Sequence, residues 1–126
     1  MIGFLAATVA LAQLPSLTGD FDHDGRRDAA ALVHNGSGYQ LVVRRGAAGT
    51  KPLVLLSMAN PDRFYLGKAQ SGVFSTACGK GLAGAIRCDH PRIALQGNEL
   101  AFGVREASNA VAVWKGDRFD LVWLTD

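Results

Sequence analysis

Residues 18–34 read TGDFDHDGRRDAAALVH, and this stretch decides the fold. Its first half holds Asp20, Asp22, Asp24 and Asp28, with Gly25 among them. Its second half, residues 29–34, is an apolar run too short to show a helical stripe. Such a run, bounded by turn residues, reads as a strand. An acidic loop that feeds a strand rather than a helix sets a β-class reading for the rest of the chain.

Short runs and turn clusters alternate on the C-terminal side. Asn35-Gly36-Ser37-Gly38 is a turn cluster, and residues 39–45, YQLVVRR, follow it. Run, glycine-rich turn and run together signal a hairpin. Residues 51–58, KPLVLLSM, read as a further strand. Pro52 stands near its start, where a missing N–H donor is tolerated. Asn60-Pro61-Asp62 is a turn, and residues 64–68 make a short aromatic strand. Residues 71–90 are glycine-rich and read as a loop or a long hairpin tip. Strands are expected at 92–95, 99–105, 110–114 and 118–124. Gln96-Gly97-Asn98 and Lys115-Gly116-Asp117 supply turn compositions between them. A helical turn finds room only near 47–48 or 58–63. Strands spaced about ten residues apart predict an all-β, mainly antiparallel fold. The expected form is a meander closing into a barrel or a curved sheet, with the acidic loop near its N-terminus.

On the N-terminal side, residues 1–12 read MIGFLAATVALA. This resembles the apolar core of a secretory signal ending in a small-x-small pattern, without the usual preceding basic residues. It is too short to span a bilayer as a helix. The expected organisation is therefore a signal at 1–12 and one β-rich domain at 13–126. An exported chain is expected to reach the periplasm or the exterior. Cys78 and Cys88 are the only two cysteines, and in that setting they are expected to pair.

Composition narrows the function classes. The chain has 126 residues, 48% apolar and 19% charged, which is a globular balance and not a disordered one. Its 13 basic and 11 acidic residues leave a formal charge of +2, which gives no case for nucleic acid.

The acidic loop carries the one motif with evident chemistry. Counting from Asp20, carboxylates stand at positions 1, 3, 5 and 9, with glycine at position 6. Calcium takes six to eight hard oxygen ligands. Alternate residues of a tight loop can aim carboxylates at one point, and glycine permits the turn that brings position 7 around. Asp20, Asp22, Asp24, the Arg26 carbonyl and Asp28 are the expected ligands. The Arg26 side chain is expected to point away, and His23, between ligand positions, to face solvent. Position 12 is Ala31, not the glutamate of an EF-hand, so Asp28 would close the site. Four carboxylates this close repel one another without a cation.

The segment GDFDHDGRRDAAALV, residues 19–33, resembles the GDFNGDGxxDLAV unit of FG-GAP and VCBS repeats. The resemblance implies a calcium loop between strands. Those repeats build β-propellers from several copies, and one copy here excludes a complete propeller. The wider chain is similar to single-unit exported bacterial proteins with this loop near the N-terminus. The residues that carry this likeness are Cys78-Gly79-Lys80-Gly81 with Cys88, Glu106-Ala107-Ser108, and the tail from Val113-Trp114 to Trp123-Leu124-Thr125-Asp126.

Other groups are weaker candidates. His23, His34 and His90 are the only imidazoles, and none stands in a nucleophile context. Glu106 and Asp120 form an imaginable glycosidase pair, but read better as solvated strand ends. Arg44, Arg45 and Lys51 read as a solvated edge. Trp114 and Phe119 flank a turn and are expected to pack across it, with Trp114 and Trp123 the candidate partner-binding side chains. The expected function is a non-enzymatic, calcium-stabilised binding module. Its partner would be a protein, in the manner of a lysozyme inhibitor or an immunity protein. The alternatives are a carbohydrate- or envelope-binding module and a calcium-dependent hydrolase.

Overall fold

The structure is a computed structural model and describes residues 13–81 and 88–125. The signal expected at 1–12 and the middle of the loop between the cysteines lie outside the described residues. The fold is antiparallel β, as expected, and is built from ten strands among the described residues.

The first sheet is a meander of β1 (Ser16–Gly19), β2 (Asp28–Asn35), β3 (Gly38–Arg44) and β4 (Leu53–Met58), hydrogen-bonded in that order. The apolar run after the acidic loop becomes β2. Its burial alternates, so Ala30 and Leu32 face inward and Ala29 and Val33 outward. Register then places Ala30 opposite Val43 and Leu32 opposite Leu41, which gives two inward cross-strand pairs. β1 was not foreseen from the sequence. It pairs with β2 from Ser16↔Ala31 to Gly19↔Asp28.

The second half departs from a simple meander. β5 (Phe64–Lys68) pairs not with its successor but with β8 (Leu100–Val104), giving a sheet ordered β10-β9-β8-β5. β9 is Ser108–Trp114 and β10 is Phe119–Thr125. β6 (Gly72–Ser75) and β7 (Arg92–Leu95) form a separate two-stranded ribbon between β5 and β8. So the stretch 71–90 is the long hairpin of the two readings, with paired flanks. Ala69 N–H donates to Glu99 O and Asn98 N–H to Ala69 O, carrying the β5–β8 pairing past Lys68 and closing the ribbon's base. The described residues form three sheets and no closed barrel.

The two four-stranded sheets share one core. Phe21, Ala30, Leu32, Leu41 and Val43 come from the first half, and Phe64, Leu100, Phe102, Ala110, Ala112 and Phe119 from the second. Small and large side chains alternate across β8 and β9: Phe102 lies opposite Ala110 and Leu100 opposite Ala112. Phe102 therefore fills space that the alanines leave, as close packing requires. The outer edge of β10 is covered in part by the segment after β6. Ala77 N–H donates to Trp123 O, and the Lys80 ammonium donates to Leu124 O.

Cys78 and Cys88 are bonded, ten residues apart. Cys78 opens a short 3-10 turn, Cys78–Lys80, whose end needs Gly81 at φ 75. Closing a loop of this length is worth about 2–3 kcal/mol in the chain-entropy account. A Cys78→Ser/Cys88→Ser variant should lose that amount in urea unfolding and keep the β-sheet signature in far-UV circular dichroism. No helix among the described residues is long and apolar enough to cross a membrane.

Candidate metal centre

The acidic loop joins β1 to β2, and its second residue anchors it. Phe21 is fully buried in the core between two aspartates that turn the other way. Left-handed backbone at His23 (φ 59) and Gly25 (φ 83) folds the rest of the loop back on itself. Gly25 is the residue type that turn favours.

Each carboxylate is tied to named donors. Asp20 accepts the N–H groups of Asp24 at 3.1 Å and Gly25 at 2.8 Å. Asp22 accepts Asp24 N–H at 3.3 Å through one oxygen and the Arg45 Nε–H at 2.7 Å through the other. Asp24 accepts Arg26 N–H at 2.8 Å. Asp28, only 1% exposed, accepts Phe21 N–H at 2.8 Å and Asp22 N–H at 3.2 Å on one oxygen. Its other oxygen accepts Gly46 N–H at 2.8 Å. Asp28 thus fastens both ends of the problem: the loop that precedes it and the connection that follows β3.

Three carboxylates converge. Oxygens of Asp20, Asp22 and Asp28 all lie within 4.8 Å of one another. Two oxygens bound to one calcium at 2.3–2.6 Å can stand no more than about 5 Å apart, so the trio meets the spacing an ion imposes. The donors are hard oxygens, two of the three residues are buried, and the set suits calcium by type. Asp24 stands outside the trio, with an oxygen turned to its own local N–H. The Arg26 side chain is exposed and lines a depression beside the loop together with Asp20, and its charge reaches Asp24.

The electrostatics are unbalanced. Burial pushes the Asp22 carboxyl above its ordinary range, the Arg45 guanidinium pulls it down, and Asp24 and Asp28 push it up again. Asp24 is exposed and held below its ordinary range by the Arg26 N–H. Of the three gathered carboxylates, the Arg45 guanidinium pairs with Asp22 alone, and the net effect at Asp22 still disfavours the charged form.

Several neighbours correct the sequence reading. Arg45 is not part of a solvated edge: it pairs with buried Asp22 and lies 4.1 Å over the Trp114 ring. Trp114 packs edge-on against Phe119 with centroids 4.9 Å apart, as expected across that turn, and is half-buried against the core. Arg45 covers one face of the half-buried Trp114 ring, whereas Trp123 is 38% exposed. Trp123 packs its edge against Phe102. His23 is exposed, yet its Nε2 donates to Gly97 O at 2.9 Å. That bond ties the loop to the β7–β8 turn, which buried Glu99 holds by accepting Gln96 and Gly97 N–H. The loop is thereby linked to the first sheet through Gly46 and Arg45, and to the second half through His23.

Gly46 went unnoticed in the sequence. A Cβ there would stand 2.4 Å from Arg27 O, so the approach to Asp28 admits no side chain. Glu106 pairs with Arg63, and Asp120 with Arg118. Glu106 lies in the β8–β9 turn and Asp120 at the start of β10, at opposite ends of their sheet, so they do not face one another. His34 packs on Tyr39 in the β2–β3 hairpin, and His90 presents its carbonyl to the Thr76 hydroxyl.

No family model, curated protein or solved structure matches the chain.

Proposed function

We propose that this protein is an exported, calcium-stabilised binding module without catalytic activity of its own, acting on a protein partner as an inhibitor or immunity protein does. The observation that carries the calcium reading is the convergence of Asp20, Asp22 and Asp28 oxygens within 4.8 Å of one another. The likeness of residues 19–33 to calcium-binding repeats supports it. Asp20, Asp22 and Asp28 would hold the ion, with the Arg26 carbonyl and Asp24 drawn in from the loop. Bound calcium would supply the positive charge that three carboxylates lack.

Its role would be structural. The loop is braced against Arg45 and Gly46 in the β3–β4 connection and against Gly97 in the β7–β8 turn, so an ion there stiffens the end of the domain where the two connections meet. The disulfide supports export, since such bonds persist in oxidising compartments.

The test has two arms. Calorimetric titration of chelator-treated protein should give one calcium per chain, and none after Asp20→Asn with Asp28→Asn. Immobilised wild-type protein should then retain a discrete partner from periplasmic extract, and release less of it in calcium than in chelator. Absence of calcium heat sinks the first half of the reading. Retention of glycan fragments in place of a protein would move the second half to the envelope-binding alternative, with exposed Trp123 as its stacking surface.

A further inference from the structure

Beside the acidic loop, where β1 meets β5, lies a depression of about 380 Å³ lined by Thr18, Asp20, Arg26, Arg27 and Lys68. Lys68 reaches it because Gly19 has no side chain: a Cβ at Gly19 would stand 2.9 Å from Lys68 Cε. Three cations therefore gather around one carboxylate. Among the described residues, no carboxylate lies within ion-pair distance of Arg26, Arg27 or Lys68, whereas Arg45 and Arg63 each have one and Arg118 has two. Asp20 turns its oxygens to Asp24 and Gly25 N–H instead.

We infer that this depression is an oxyanion site, and that it receives an acidic side chain of the protein partner. The inference deepens the partner-binding reading above and rests on it. The chemistry follows from the lining. Two guanidiniums and an ammonium are exposed and without an ion pair, and a guanidinium matches a carboxylate through two parallel N–H donors. The lining carries no aromatic ring, so it provides no platform for stacking a sugar. An acidic peptide segment fits that surface better than a glycan.

The site is coupled to calcium through Asp20, which belongs to both. Unscreened, its carboxylate repels an incoming anion; bound to calcium, it does not. Each ligand would then tighten the other by the same factor, as linkage requires.

Isotope-labelled protein titrated with capped hexaglutamate tests this by amide chemical shifts. Shifts should centre on Gly19, Gly25, Arg26 and Arg27 and fade as ionic strength rises. Arg27→Gln/Lys68→Gln, both exposed, should weaken the peptide by about tenfold, since each lost rim charge costs a few tenths to 1 kcal/mol. Asp20→Asn should tighten it by about threefold on the same scale in the absence of calcium, and the variant's affinity should not respond to calcium. If these changes appear while wild type ignores calcium, the anion site stands and the calcium reading fails. If calcium binds but the peptide shifts scattered amides, or the double variant binds it equally well, the inference is overturned. Shifts at the same amides from chondroitin sulfate and none from hexaglutamate would also overturn it, in favour of a sulfated glycan.

Discussion

Replacing Asp28 with alanine should lower stability by about 3–5 kcal/mol, because three backbone N–H groups lose their acceptor where water reaches poorly, at roughly 1–3 kcal/mol each. The donors are Phe21, Asp22 and Gly46, and the carboxylate that serves them is 1% exposed. That loss is a large share of the ~5–15 kcal/mol that holds a domain of this kind. Urea unfolding of Asp28→Ala, followed by circular dichroism, is the measurement. Asp28→Asn should fall between the two, because one amide oxygen can serve Phe21 and Asp22 or else Gly46, but not both. A fall of under about 1 kcal/mol in Asp28→Ala would mean that the three N–H groups find other partners.

Phe102→Ala should cost about 3–5 kcal/mol for a different reason, the removal of a large ring from a packed core. Phe102 is fully buried and stands between the rings of Phe64, with centroids 6.3 Å apart, and Trp123, at 5.9 Å. Its opposite neighbour on β9 is Ala110, too small to close the gap. The loss should register in urea unfolding. In a Trp114→Phe background, it should also shift Trp123 fluorescence to the red, as that ring loses its apolar neighbour. An unmoved emission would mean that Trp123 does not depend on Phe102 for its surroundings.

What the sequence disclosed and what it concealed divide along contact range. Local signals were strong. The turn at Asn35–Gly38, the runs that become β2 and β3, and the β9–β10 hairpin around Lys115-Gly116-Asp117 all depend on neighbours a few residues apart. The cysteine pair was legible because only two cysteines exist. The order of the second sheet was not legible. Nothing in residues 64–68 says that their partner lies at 100–104, because the ribbon between them removes the sequential cue. β1 is a four-residue edge strand with mixed polarity, too short for periodicity to show.

The acidic loop followed the same rule. Spacing pointed to Asp20, Asp22 and Asp28 meeting and gave Asp24 an equal part; Asp24 gives one oxygen to Arg26 N–H, and its carboxyl also lies against those of Asp22 and Asp20. The loop's braces come from distant sequence: Arg45 and Gly46 from the end of β3, and Gly97 from the β7–β8 turn. Arg45 looked like one of three surface cations, and only the fold sets it over Trp114 and against Asp22. A tight approach such as Gly46 to Arg27 leaves no mark beyond a glycine, one of 15 in the chain.

Thermal unfolding of the chelator-treated domain, with and without calcium, beside Asp20→Asn tests the central claim most directly. Calcium at a hundred times its dissociation constant adds about 2.7 kcal/mol, which for a domain this size raises the midpoint by about 10 °C. The account predicts that rise in the wild type, little of it in Asp20→Asn, and none from magnesium at equal concentration. Wild-type midpoints that agree within about 1 °C with and without saturating calcium would contradict it, leaving the carboxylates as a turn held by its own N–H groups and Arg45.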